Sequence, residues 1–249
     1  MSEPSYLETP SGRRIAYHKT EGAGPGVVFL GGFRSDMEGT KAVFLEDWAR
    51  QQGRAFLRFD YSGHGQSSEE FTDGSIGDWA EDAQAAVSAL TEGPQVFVGS
   101  SMGGWISLLV GRERPDLFAG FVGIAAAPDF TEDGFWADFS EEQRAQLIEA
   151  GQVALPSGYD EGDYIITRRL IEEGRNSLVL RTPLSLPCSV RLLQGTEDEA
   201  VTTETALRLL DHLQADDSRL TLVKGADHRF SDPQCLDLIA DAVLDVGNS

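Results

Sequence analysis

Val96-Phe97-Val98-Gly99-Ser100-Ser101-Met102-Gly103-Gly104-Trp105 decides the fold: an apolar, β-type run stops at a serine flanked by glycines, and a helical pattern begins directly after it. Gly99-Ser100-Ser101-Met102-Gly103 satisfies G-x-S-x-G, the nucleophile elbow, in which a serine sits on a sharp strand-to-helix turn with its hydroxyl exposed. The glycines let strand and helix approach without Cβ clashes. The Met102 amide and the positive helix end then face any oxyanion formed on a carbonyl attacked by Ser101. A plain strand-to-helix turn fits the same pentapeptide, so the surroundings carry the argument.

Upstream, Trp79, Ala83, Ala86, Val87 and Leu90 recur at helical spacing over residues 78–90, and Glu92-Gly93-Pro94 ends that helix. Residues 55–59 read as a strand running into the tight turn Asp60-Tyr61-Ser62-Gly63-His64-Gly65-Gln66-Ser67, where the neighbouring glycines mark His64 as part of a structural loop. A helix over 41–52 is capped by Thr40 and stopped by Gly53. Before it, Val27-Val28-Phe29-Leu30 is a strand that breaks into Gly31-Gly32-Phe33-Arg34, and the Phe33 amide is the candidate second oxyanion donor. Gly22, Gly24 and Gly26 precede that strand instead of joining a strand to a helix, so they read as a turn and not as a phosphate loop. The chain opens with a hairpin, residues 6–9 and 15–18, around Pro10-Ser11-Gly12.

Downstream, Trp105, Ile106, Leu108, Leu109 and Val110 make a buried helix, and residues 118–127 a buried strand. This β and α alternation calls for a parallel sheet covered on both faces, an α/β fold in one domain spanning residues 1–249. Over residues 128–187 the alternation fails. Amphipathic helices are expected over 140–151 and 161–173, joined by Pro156-Ser157-Gly158 with no strand between them, as an inserted helical cap. Among its large apolar residues, Phe130, Phe135, Trp136, Tyr159, Tyr164 and Ile165, the candidates for substrate contact are Phe130, Trp136 and Tyr164. Arg168, Arg169 and Arg175 are expected to pair with nearby carboxylates such as Glu172 and Glu173. The strand pattern returns over 189–193, followed by a helix over 204–213, a strand over 220–223 and a last helix over 233–244.

Ser101, Asp198 and His228 each fall just past the end of an expected strand. A serine hydroxyl is a poor nucleophile at neutral pH, so His228 would take its proton and return it to the leaving group, while Asp198 fixes the imidazole tautomer. Asp129, Asp227, Glu197 and Glu199 compete with Asp198 for the acid. His212, in the middle of a helical segment, and His18, in the opening hairpin, read as structural or solvated.

With 249 residues and 41% hydrophobic content the chain can bury a substantial core. A formal charge of −21 disfavours nucleic acid and anionic lipid surfaces as partners. No apolar run is long enough to span a membrane, and residues 1–14 carry neither a signal-peptide nor a transit-peptide pattern, so a cytoplasmic location is expected. Cys188 and Cys235, outside any C-x-x-C pair, read as reduced structural thiols, and no metal or cofactor is expected.

The order Ser, Asp, His is the one an α/β-hydrolase uses. Through residues 99–103, the 60–67 turn, residues 195–201 and His228, the chain resembles the α/β-hydrolase superfamily over nearly its full length. Within it, Asp60-Tyr61-Ser62-Gly63, residues 99–105, Arg191-Leu192-Leu193 and Asp227-His228-Arg229 are similar to the mitochondrial type that acts on palmitoylated proteins and acyl glucuronides. The resemblance implies a serine hydrolase of small-molecule acyl esters or thioesters, with Ser101, Asp198 and His228 as the triad. A proline-releasing peptidase or amidase, cofactor-free perhydrolysis and a low-turnover ligand receptor on the same scaffold are the alternatives.

Overall fold

The computed structural model describes residues 3–156 and 162–247, so Tyr159 and the Ser157-Gly158 part of the expected linker lie outside the described residues. The first two strands, β1 (Ser5–Glu8) and β2 (Arg14–Thr20), form the expected hairpin. Next come β3 (Ala23–Leu30), α1 (Thr40–Gln51), β4 (Arg54–Phe59), α2 (Ile76–Leu90), β5 (Gln95–Ser100), α3 (Met102–Glu113) and β6 (Phe118–Ile124). Gly39, not Thr40, is the N-cap of α1, with no side-chain hydrogen bond. Gly22 begins the run into β3, and a Cβ there would sit 2.2 Å from the Arg54 carbonyl carbon, so the glycine permits close approach of two strands.

Past β6 the chain leaves the sheet. It makes a π-helical turn over Thr131–Trp136, then α4 (Glu141–Ala150), β7 (Gln152–Leu155), β8 (Tyr164–Thr167), α5 (Arg168–Gly174) and the two-residue strand β9 (Leu184–Ser185). It re-enters at β10 (Ser189–Gly195) and continues through α6 (Thr203–His212), β11 (Leu213–Gln214), β12 (Ser218–Val223) and α7 (Pro233–Gly247). The expectation of two helices with no strand between them is therefore corrected. β7 and β8 pair antiparallel, and the helix expected from residue 161 starts only at Arg168. Ile165, Ile166 and Thr167 are β-branched and favour the pleated conformation. Thr167 then caps α5 by accepting from the Leu170 N–H.

The main sheet has eight strands in the order β1-β2-β4-β3-β5-β6-β10-β12, with β2 antiparallel to both its neighbours and every pairing from β4 onward parallel. Alternate residues divide between its faces. Val28, Leu30 and Phe97 join Trp79, Trp105 and Leu108 from α2 and α3 in one core. Val27, Phe29, Val96 and Val98 join Ala42, Leu45, Ile239 and Val243 from α1 and α7 in the other. Burial on both sides explains the continuous apolar runs of the inner parallel strands β5 and β6, whereas β12, at the sheet edge, is partly exposed. All parallel strands end along the same edge, which collects the loops after β3, β5, β6, β10 and β12, where open α/β sheets hold their ligands.

Candidate active site

Ser101 is held at φ 53°, ψ −116°, between β5 and α3. A β-carbon would distort neither Gly99 nor Gly103 through φ; the demand is close packing. A Cβ at Gly99 would lie 2.4 Å from the Gly103 carbonyl oxygen, and one at Gly103 would lie 2.1 Å from that of Leu30. The Ser101 N–H donates to the Ile124 carbonyl at 2.9 Å and its carbonyl accepts from the Ala127 N–H at 3.1 Å, so the end of β6 and the residues just past it fix the turn from the side. The strained backbone is thus over-determined by packing and hydrogen bonds, as such conformations must be.

Ser101, Asp198 and His228 meet. His228 Nε2 lies 3.2 Å from Ser101 Oγ, and His228 Nδ1 lies 2.9 and 3.0 Å from the two Asp198 oxygens. The Asp198 side chain is fully buried and accepts from the Ala200 and Val201 amides and from Gln194 Nε2, at 2.9, 2.8 and 3.0 Å. Burial pushes its carboxyl up, but the hydrogen bond and charge of His228, with Val201 and Gln194, outweigh this and leave it below the ordinary carboxylate value. Gln194 is a residue the sequence reading missed. Its signal is an amide directly after the apolar pair Leu192-Leu193, four residues before the acid.

The competing groups have other work. Asp129 is wholly buried at φ 59° and accepts from the Val179 and Leu180 amides and from Arg181, which pins the chain's return path from the excursion after β6. His212 Nε2 lies 2.9 and 2.7 Å from the Val179 and Thr182 carbonyls, and His18 Nε2 lies 3.3 Å from a Glu38 oxygen. Arg168, Arg169 and Arg175 pair with Glu172, Asp78 and Glu132. Burial pushes the Cys188 and Cys235 thiols up to about 11 and about 12, away from the thiolate form a reactive cysteine needs.

A cavity of about 710 Å³ opens over Ser101 and His228. Its apolar wall is Phe33, Phe130, Phe135 and Tyr164, with Phe33 edge-on to the other three at 5.6, 5.8 and 5.8 Å. Trp136, a sequence candidate for substrate contact, does not line it. The π-helical turn points Trp136 elsewhere, where Arg144 and Arg175 cover its ring at 5.2 and 4.8 Å. Ile165 is likewise absent from the lining. On the opposite side Lys41 donates to the Arg229 carbonyl and lies 3.5 Å from Ser231 Oγ, bracing the segment after His228. Burial pushes this ammonium down to about 8, against the attraction of Asp227.

Phe33 also lines the cavity, whereas Met102, the first residue of α3, directly follows the lining residue Ser101 and does not itself line it. Among the described residues neither amide has a hydrogen-bond acceptor within the protein. A Cβ on Gly32 would stand 3.5 Å from Ser101 Cβ, so the loop bearing Phe33 packs directly on the serine. Also among the described residues, no group of three or more His, Cys, Asp or Glu is placed to hold a metal ion, and no helix is long and apolar enough to cross a membrane.

A family model described as serine aminopeptidase, S33, matches residues 25–167. The rat palmitoyl-protein thioesterase ABHD10, mitochondrial (Rattus norvegicus), is 35% identical over 243 residues, covering 97% of this chain and 82% of the relative. A crystal structure from Agrobacterium vitis S4 superposes with a TM-score of 0.94 at 39% identity, covering 98% of each chain. The solved structure of alpha/beta hydrolase domain-containing protein 10 from mouse superposes with a TM-score of 0.91 at 33% identity, again over 98% of each chain. Fold, elbow and relatives agree: the chain is a hydrolase and belongs to the α/β-hydrolase family matched by the serine aminopeptidase S33 model.

Proposed function

We propose that the protein hydrolyses small-molecule carboxylic esters or thioesters through an acyl-enzyme on Ser101, as a single α/β-hydrolase domain in which residues 128–187 form a cap over the site. The observation that carries this is the continuous line from Ser101 Oγ through the His228 imidazole to the buried Asp198 carboxylate. Ser101 Oγ attacks the carbonyl carbon as its proton passes to His228 Nε2, and the C=O electron pair moves onto oxygen. The Phe33 and Met102 amides are the donors assigned to that oxyanion. When the carbonyl re-forms, the alcohol or thiol leaves with the proton held by His228. Water, deprotonated by His228, then releases the acid by the same route in reverse. The ring of Phe33, Phe130, Phe135 and Tyr164 suits an apolar acyl group, and relatives named palmitoyl-protein thioesterases support the thioester side of the reading.

The family description favours one second reading, an aminopeptidase. Fluorophosphonate labelling, followed by turnover of p-nitrophenyl esters, acyl thioesters and aminoacyl p-nitroanilides, separates the two. The expected result is labelling of Ser101 and hydrolysis of esters and thioesters, with loss on the order of 10⁵-fold or more in kcat for Ser101→Ala and His228→Ala. Preference for the anilides would establish the peptidase. A folded Ser101→Ala that retained about a tenth of the activity would remove the nucleophile from the scheme.

A further inference from the structure

Hydrogen bonds between the turn after β4 and the loop after β3 form a ladder that the acyl-transfer scheme does not use. Tyr61 Oη donates to the Gly31 carbonyl at 3.3 Å, the Arg34 N–H to His64 Nε2 at 3.3 Å, and the Met37 N–H to Asp60 Oδ1 at 2.6 Å. The middle rung falls on the amide directly after Phe33. His64 is 4% exposed, and the rings of Tyr61, Phe71 and Trp79 stand edge-on to it at 5.5, 5.2 and 5.0 Å. Its Nδ1 lies 3.1 Å from the Ser62 carbonyl. A carbonyl can only accept, so Nδ1 carries the hydrogen and Nε2 presents a lone pair to Arg34. Burial pushes the imidazole down to about 4, aided by the Arg34 charge and opposed by the Ser62 carbonyl, so the ring is neutral at ordinary pH.

Arg34 sits at φ 54°, a conformation that a long side chain adopts only under constraint. Its N–H shares a rigid plane with the Phe33 carbonyl, so once His64 fixes that plane only the two Phe33 dihedrals separate the anchor from the Phe33 N–H. We infer that His64 is a positioning residue: by accepting the Arg34 N–H through Nε2 it aims the neighbouring Phe33 amide at the oxyanion. His64 touches no reacting atom. The inference rests on the Ser101 reading given under Proposed function.

Two polar substitutions test it. In His64→Asn the side chain still reaches the Ser62 carbonyl but falls short of Arg34, whereas His64→Gln can put a carbonyl oxygen where Nε2 stands. For each, kcat and KM on a p-nitrophenyl ester are measured with the affinity for an alkyl trifluoromethyl ketone, whose Ser101 adduct carries the oxyanion. His64→Asn should lower kcat about 100-fold, as loss of one oxyanion donor does, with KM within about threefold and ketone affinity falling in step with kcat. His64→Gln should recover kcat to within about tenfold of the wild type. If His64→Asn does not give a cooperative melt, His64→Leu replaces it in the same comparison with His64→Gln. Equal loss in the two arms, a kcat within about threefold of wild type in the arm lacking the acceptor, or a ketone affinity that stays constant while kcat falls overturns the inference. Failure of the underlying reading shows separately, as a wild-type enzyme that the ketone does not inhibit or a Ser101→Ala variant that stays active.

Discussion

Two fully buried aspartates follow sheet strands, and their partners give them opposite properties. Asp198 faces an imidazole and is held below the usual carboxylate range. Asp129 faces two backbone amides and Arg181, and burial still leaves its carboxyl above the ordinary value despite those donors. Asp198→Asn is therefore expected to lower kcat about 10⁴-fold by favouring the wrong tautomer of His228. Asp129→Asn should lower the melting temperature while kcat per folded molecule stays within about threefold, since it weakens an anchor and leaves His228 alone. The reverse pattern would mean the acid has been assigned to the wrong strand end. A second expectation concerns His64. Its folded value of about 4 lies below the ordinary 6.5, so between those limits the unfolded chain binds the proton and the folded protein does not. Stability then falls as pH drops from about 6.5 towards about 4, by up to roughly 3 kcal/mol, and the loss levels off below that. Urea unfolding at pH 7 and pH 5 should show a smaller loss in His64→Gln than in the wild type; equal losses would place the titration elsewhere.

Among the elements, the β5 turn into α3 was the most legible part of the sequence because its constraint is local: two glycines and a serine at fixed spacing admit few backbones. Gly103→Ala tests that constraint. With a new methyl 2.1 Å from the Leu30 carbonyl oxygen, strand and helix must separate, and the expected result is loss of several kcal/mol of stability and poor soluble expression, measured by thermal melt. The β7 and β8 hairpin was illegible for the complementary reason. Val153 and Ile166 are the buried members of two four-residue strands, too few to set a period of two against the helices on either side. Trp136 was a candidate only as a large apolar residue of this segment, and residue type alone does not say which way a side chain on a π-helical turn points. For chain-length preference the informative residues are thus Phe135 and Tyr164. Alanine at either should change kcat/KM across an acetyl, butyryl and octanoyl ester series by about 10-fold to 100-fold between extremes, whereas Trp136→Ala should lower all three alike.

For the molecule as a whole, the parallel sheet could be read from β and α alternation because burial on both faces forces unbroken apolar runs. The identity of the triad candidates could be read from their positions past strand ends, but their supports could not. Lys41 and the Tyr61-His64-Asp60 ladder act through bonds between segments that are distant in sequence, and Gln194, though only four residues from Asp198, reaches it across a turn whose shape no local pattern announces. That distance also governs how activity arises during refolding. Ser101 and His228 are 127 residues apart, and β10, β12 and α7 all lie between or beyond them. A collapsed intermediate built from local contacts, such as the β3 to β6 half with α2 and α3, contains the serine and the elbow but no base. Long-range closures of this kind come late, because chain entropy opposes them until much of the sheet is in place. Catalytic competence is therefore a reporter of the last docking event: after dilution from urea, ester turnover should lag behind the recovery of helical circular dichroism.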